Sequence, residues 1–261
     1  MDITSLQNPR VKHIVKLRGD KKQRQKDGLI LVEGFDELTL ALGCGLIPQT
    51  ILSAPELASQ TLTVPHAENI SVNRAVFEKI SYRDNPDGWM GIFPMPRRSL
   101  EELSLPEAPL VIVAESIEKP GNLGAILRTA DAAGVDAVLV CDPRVDLWNP
   151  NVIRASRGAV FAVPVVEVDS LEALEWLRRR KMRILAATPS AEENHTNVNM
   201  KEALAVAVGT EDKGLTKLWI ENADIRVKIP MFGKVNSLNV SIATALLIYE
   251  RLRQKAHAGK E

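Results

Sequence analysis

After residue 109 the chain alternates between uninterrupted apolar runs and stretches with a helical repeat. The runs are LVIVAE (110–115), AVLVCD (137–142), PVVEV (164–168), RILAAT (183–188) and LAVAVGTE (204–211). Strands that are apolar at every position are buried on both faces, which predicts a parallel sheet with helices on each side. The repeat predicts helices over 122–133, over 171–181 after a Ser170 cap, and from Leu238 to Lys255. A further strand runs into Pro230. Before residue 94 the alternation is looser. A basic helix precedes the strand LILVE (29–33), followed by a helix over 36–42 and a strand over 50–52. A helix capped by Asn73 and a closing strand over 89–93 complete a small α/β domain.

Between these regions lies PMPRRSLEELSLPEAP, with prolines at 94, 96, 106 and 109 that discourage regular structure. The organisation read from the sequence is therefore a domain over 1–95, a linker over 96–108 and a larger domain over 109–261. The last residues, AHAGKE, read as a frayed tail.

Composition narrows the class. A chain of 261 residues, 45% hydrophobic and 25% charged, fits an ordinary globular protein of one large or two modest domains. No apolar run approaches the roughly 18–20 residues that cross a membrane. The N-terminus lacks the apolar core of a secretory signal. Two cysteines, Cys44 and Cys141, and four histidines leave no basis for a zinc site or a disulfide framework. The expectation is a cytoplasmic protein without a metal. Net charge is zero, but eight basic residues face three acidic ones in the first thirty positions. The basic set is Arg10, Lys12, Lys16, Arg18, Lys21, Lys22, Arg24 and Lys26. Such a cluster can meet nucleic-acid phosphates or form a solvated helix face.

Three segments carry candidate chemistry. The first, EKPGNLGAILRTADAAG (118–134), follows a strand; Pro120 and Gly121 make a turn and Asn122 reads as a helix cap. Gly124 and Arg128, four apart, share a helix face and leave room near the guanidinium. The spacing of Gly121 and Gly124 does not fit the three-glycine dinucleotide fingerprint. The second, VGTEDKGLTK (208–217), resembles a phosphate-binding loop, but Leu215 stands where the lysine belongs. What remains is Glu211, a glycine-flanked carboxylate at the C-terminal edge of a parallel sheet, where ligands gather in open α/β folds. The third, IPMFGKVNSLNVSIATALLIYE (229–250), places Ser237 and Asn239 at the start of a helix. One such residue suffices for a cap, so Asn236, Ser237 and Asn239 together point to a ligand.

In this order and spacing the three segments resemble the signature of SpoU-type ribose 2′-O-methyltransferases of the SPOUT superfamily. The resemblance covers Leu110 to Leu252 and shows no departure at the motif positions; MFGKV is a mild variant of a variable linker. ITSLQNPRVKHIVKLR and GLILVEGFDELTLAL look like the family's ribosomal-protein-like substrate-binding module. NPNVIRASRGAVFAVPV (149–165) is similar to the family's loop between the first two motifs.

The resemblance implies a C-terminal α/β domain with a parallel sheet and a deep trefoil knot, which neither periodicity nor spacing reveals. It implies methyl transfer from S-adenosylmethionine to a ribose 2′-hydroxyl in RNA, ribosomal rather than transfer RNA given the N-terminal module. Carried over by position, Asn122, Arg128, Glu211, Ser237 and Asn239 form the reacting set. The cofactor falls to Gly209, Ile229, Met231 and Leu238, and RNA contact to Arg10, Lys12, Lys16, Lys21, Lys22 and Arg154. Arg128 has two candidate roles, a base in a strongly perturbed site or a clamp on the adjacent phosphate; the guanidinium fork suits the clamp. A homodimer through the last helix is implied, and its stripe Leu238, Ile242, Ala245, Leu246, Tyr249 and Leu252 is long for a helix covering only its own sheet. The alternatives are a transfer-RNA ribose methyltransferase and a non-catalytic RNA-binding dimer; the intact reacting set speaks against the latter.

Overall fold

The looser alternation before residue 94 forms a five-stranded mixed sheet in the computed structural model, which describes residues 2–210 and 212–258. In chain order its elements are β1 (Asp2–Ile3), α1 (Pro9–Gly19), α2 (Lys21–Asp27), β2 (Leu29–Glu33) and α3 (Phe35–Gly43). Next come β3 (Thr50–Ser53), β4 (Glu68–Val72), α4 (Arg74–Ile80) and β5 (Trp89–Pro94). The strand order is β1-β4-β3-β5-β2, with β5 antiparallel to both its neighbours and the other pairs parallel.

Local chemistry sets these boundaries. Asn8 caps α1 by accepting from the Arg10 N–H at 2.9 Å, and Pro9 occupies the first turn, where its missing N–H costs nothing. Asn73 caps α4 as its sequence position suggests, accepting from the Val76 N–H at 3.0 Å. Val11, Ile14 and Leu17 on α1 pack with Ile70, Val72 and Phe77. Strand β4 escapes a reading by pattern because only Ile70 and Val72 of its five residues are buried.

The apolar runs after residue 109 become a seven-stranded, wholly parallel sheet. The elements are β6 (Leu110–Glu115), α5 (Pro120–Ala132), β7 (Ala137–Cys141), α6 (Pro150–Ala155), α7 (Ala159–Ala162) and β8 (Val165–Val168). They continue with α8 (Ser170–Arg179), β9 (Arg183–Ala187), β10 (Glu193–Asn194), β11 (Leu204–Val208), α9 (Lys217–Glu221), β12 (Ile225–Lys228) and α10 (Val240–Ala258). The order β10-β12-β9-β11-β6-β7-β8 places β11 between two strands that precede it in the chain. Every residue of β6, β7 and β11 is buried, which is why these strands read as continuous apolar runs.

Helix starts differ from the sequence reading in three places. α5 begins at Pro120, so its N-cap position is Lys119 and Asn122 lies inside its first turn. α8 is capped by Asp169, which accepts from the Leu171 N–H at 2.8 Å, while the Ser170 hydroxyl accepts from the Trp219 indole at 3.2 Å. α10 begins at Val240 and continues to Ala258, so residues 256–258 of the expected tail are helical; Gly259 to Glu261 lie outside the described residues.

Contacts divide the chain into two units, residues 1–97 with 146–162, and residues 98–145 with 163–261. Residues 146–162 follow β7 in sequence but pack in the first unit, where α6 meets β2 and α7 meets α3. The Arg24 guanidinium, 2% exposed, donates from Nε to Asp146 Oδ2 at 2.9 Å and caps the Leu17 carbonyl at 2.5 Å. Breaking a pair this buried costs about 3–5 kcal/mol, because one charge is left uncompensated.

In the second unit a buried Arg251 on α10 donates to the carbonyls of Met200, Glu202, Ala108 and Pro109, pinning the helix to the chain entering β6 and β11. Burial lowers its pKa, against the raising influence of Asp136. The opposite face of α10 leaves Ile242, Leu246 and Tyr249 exposed, so this stripe does not pack wholly within its own unit. No helix among the described residues is long and apolar enough to cross a membrane.

Candidate active site

The site grows from the C-terminal ends of β6 and β11, which pair along their length. β6 ends on Glu115, 1% exposed, whose carboxylate accepts from the Thr216 N–H at 2.8 Å and the Thr216 hydroxyl at 2.7 Å. One strand end thereby fixes the loop that leaves the neighbouring strand. Sequence reasoning missed Glu115, although a single carboxylate closing a wholly apolar strand is a signal: it needs partners to be buried there.

The loop so held is closed on itself. Thr210 N–H donates to the Gly214 carbonyl at 3.2 Å, Gly214 N–H returns to Thr210 at 2.9 Å, and Lys213 N–H reaches the Thr210 hydroxyl at 3.1 Å. Gly214 adopts φ +66°. A Cβ on Gly209 would stand 2.2 Å from the Gly214 carbonyl oxygen, so only glycine fits. Glu211, expected in the reacting set, lies outside the described residues.

Two helix entrances meet nearby in the same unit. Asn239 caps α10: its Oδ1 accepts from the Ser241 N–H at 2.9 Å and the Ser241 hydroxyl at 2.6 Å, and its carbonyl accepts from Ala243 N–H. With Oδ1 so engaged, the amide orientation follows, and Nδ2 donates to Asn122 Oδ1 at 3.1 Å. Asn122 is buried in the first turn of α5. The structure thus joins two residues 117 positions apart that the sequence placed in one reacting set.

The other expected residues are dispersed around this pair. Arg128 is exposed on α5, one turn beyond the buried Gly124. Ser237 is exposed and precedes the helix by three residues, so the expected helix-start position belongs to Asn239 instead. Ile229, Met231 and Leu238 are half-buried in the connection from β12 to α10, which carries no regular structure, and Phe232 within it is 97% exposed. At the end of β7 the Cys141 thiol is pushed well above its ordinary value, chiefly by burial and then by Asp142, Glu115 and Asp169. It stays protonated and is no nucleophile.

In the first unit Lys12, Lys16, Lys21 and Lys22 are exposed on α1 and α2. Arg10 is engaged with Glu68 at 2.6 Å. Two other members of the basic cluster have structural work: Arg18 donates to the Lys79 and Ser81 carbonyls, and Arg24 is buried. The basic segment is therefore less available to phosphates than its charge count suggests. Arg154 is exposed on α6, 5.4 Å from the Tyr82 ring centroid.

Comparison with known proteins agrees with this arrangement. Residues 109–249 match the SpoU rRNA methylase family, and residues 8–91 match the MRM3-like substrate binding domain. The chain is 29% identical, over 95% of its length and 97% of the relative's, to the 23S rRNA guanosine 2′-O-methyltransferase RlmP of Bacillus subtilis. A solved structure described as an RNA 2′-O ribose methyltransferase is 40% identical, with TM-score 0.86, covering 98% of this chain and 100% of that one. The AdoMet-bound rRNA methyltransferase of Sinorhizobium meliloti is 29% identical with TM-score 0.88, covering 97% of each chain. A match across more than half the chain, containing the Asn122 and Asn239 segments and the Gly209 loop, places this protein: it belongs to the SpoU rRNA methylase family.

Proposed function

We propose that this chain is an RNA methyltransferase that moves the methyl group of S-adenosylmethionine to a ribose 2′-hydroxyl, and that its RNA is ribosomal, of the large-subunit 23S type. The observation that carries the reading is the Asn239–Asn122 hydrogen bond between two helix entrances, one of them following the strand that also holds the Gly209 loop. The likeness to RlmP spans both the 8–91 and the 109–249 segments, which favours ribosomal over transfer RNA. It also supports the division along the chain into a substrate module over 1–95, a linker over 96–108 and a catalytic domain over 109–261, of which residues 146–162 pack in the first unit. The likeness to SpoU structures supports a trefoil knot in the second unit. A cytoplasmic location follows from an RNA substrate of this kind.

The chain's residues fit the cofactor. The Gly209–Gly214 loop presents backbone groups held rigid by Glu115, and Ile229, Met231 and Leu238 supply half-buried apolar surface for an adenine. S-adenosylmethionine supplies an electrophilic methyl group, already activated by its sulfonium. The protein's task is then to align a ribose oxygen and to favour loss of its proton. Asn122 and Asn239 position the ribose, with Ser237 on the adjoining loop. Arg128, exposed and presenting a planar fork of donors, clamps the adjacent phosphate and stabilises the developing alkoxide. Glu211 orients that arginine. Lys12, Lys16, Lys21, Lys22, Arg10 and Arg154 contribute RNA contacts outside the reacting set.

Calorimetry with the full chain tests the cofactor assignment. Saturable binding of S-adenosylmethionine in the presence of a chelator is expected, and no detectable heat at millimolar ligand with folded protein contradicts it. We also infer a homodimer through α10, on the strength of its exposed Ile242, Leu246 and Tyr249. Light scattering should give about twice the 28.7 kDa chain mass; a single-chain mass contradicts the dimer.

A further inference from the structure

A cleft of about 520 Å³ opens in the first unit between the start of α3, the 82–87 turn and α6. Its size is that of a small-ligand site, roughly 300–1,000 Å³. The floor is held rigid. The buried Glu33 carboxylate accepts from the Tyr82 N–H at 2.7 Å and the Arg83 N–H at 3.3 Å, tying the turn to β2. Arg83 lies over Gly34: its Nη2 donates to the Glu33 carbonyl at 3.2 Å and pairs with buried Glu37 at 2.7 Å. A Cβ on Gly34 would come within 2.5 Å of that nitrogen, so the arrangement needs glycine there. Asp87 accepts from the N–H groups of Phe35 at 2.7 Å and Trp89 at 3.1 Å. Next to the lining, Tyr82 is 41% exposed, and the guanidinium of Arg154, which does line the cleft, stands 5.4 Å from its ring centroid.

Charge and polarity together select the occupant. The walls carry Asp36, Glu37, Asp84 and Asp87 against Arg83, Arg154 and Arg157, one negative charge in excess. A phosphate is repelled from such a lining, and an apolar group finds little surface in it. Glu37 is paired with Arg83, Asp36 with Arg157 at 3.1 Å, and Asp87 with backbone N–H groups. A neutral, flat group with N–H donors and carbonyl acceptors along its edge is therefore met by Asp84 for the donors and by Asn85 and Arg154 for the acceptors. A nucleobase has this form, and the Tyr82–Arg154 pair offers an aromatic and a guanidinium plane for its face. A base inside a duplex has its edge occupied, so the base must be unpaired.

We propose that this cleft binds one unpaired nucleotide of the RNA substrate, with its base stacked at Tyr82 and Arg154 and its edge met by Asp84 and Asn85. The proposal rests on the RNA-substrate reading above and names the part of the RNA that the first unit recognises.

The test measures binding of a mixed-sequence ribo-octamer, single-stranded or as a blunt duplex, to the full chain and to its Tyr82→Ala and Tyr82→Trp variants. Thermal melting followed by circular dichroism on each protein confirms folding of both units. Loss of one base–aromatic stack should weaken single-strand binding about tenfold in Tyr82→Ala. Duplex binding should be unchanged, and Tyr82→Trp should retain single-strand affinity. Undiminished single-strand binding by Tyr82→Ala, or equal losses on both RNAs, overturns the cleft while leaving the methyltransferase reading intact. Failure of the unaltered chain to bind either RNA overturns both.

Discussion

Helices α5 and α10 meet at the site, yet they begin in different ways. α5 starts on Pro120 with no side-chain cap, because its N-cap residue is Lys119, which carries no side-chain oxygen to accept from the first turn. Its Asn122 lies in the first turn, past the N-cap position, and turns its amide oxygen toward the other helix. α10 is entered at Asn239, which both caps it and reaches Asn122. The Asn239 oxygen is committed to Ser241, so only its N–H₂ faces the site. Two asparagines at two helix entrances thus carry different shares of the same hydrogen bond, Asn122 as its acceptor and Asn239 as its donor and as a cap. A polar residue at a helix start is a cap or a site residue according to what else that entrance offers.

The largest effect should come from the α5 side. Arg128→Ala should abolish methyl transfer and leave cofactor affinity unchanged, since Arg128 is assigned to the RNA. Arg128→Lys should lose roughly 100-fold, because an ammonium cannot reproduce the guanidinium's planar two-point grip and misplacement alone costs this much. Steady-state turnover beside calorimetry decides it; near-normal rates in either variant would remove Arg128 from the chemistry.

A smaller and sharper effect separates the two duties of Asn239. Asn239→Ala removes cap and donor together, and should lower stability by about 1 kcal/mol as well as turnover. Asn239→Asp keeps an acceptor for Ser241 and places a negative charge at a helix N-terminus, where it is favourable. Its melting temperature should match the parent while turnover falls, because the carboxylate has no N–H to offer Asn122. An Asn239→Asp variant with full turnover would make Asn239 a cap and nothing more.

The sheet of the second unit was legible because burial on both faces leaves an unbroken apolar run, as in Leu110–Glu115. Strand β12, IRVK, shows the limit: only Val227 of its four residues is buried, so its pattern carries little beyond its place before Pro230. Asn122 reads as a cap in sequence because Asn is a good one; the competing proline two residues earlier decides otherwise. The position of α6 was not legible at all. It depends on Arg24 meeting Asp146 across 122 residues, and local pattern holds no information about such a pairing. The same holds for the Tyr82–Arg154 contact, whose partners are separated by four strands and helices of both units. The residues proposed to react come from their resemblance to a family, and the Asn122–Asn239 bond supplies a physical reason for two of them to act together.

The central claim is transfer of a methyl group to a ribose oxygen of ribosomal RNA. Its most direct test incubates the full chain with S-adenosylmethionine labelled in the methyl group and with ribosomal or transfer RNA lacking ribose methylation. The RNA is then digested to nucleosides and the label located by mass spectrometry. The account expects label on the ribose of one nucleoside of 23S-type RNA, in an alkali-stable linkage, and none in transfer RNA. Label on a base, or no transfer by protein that binds the cofactor, would contradict it.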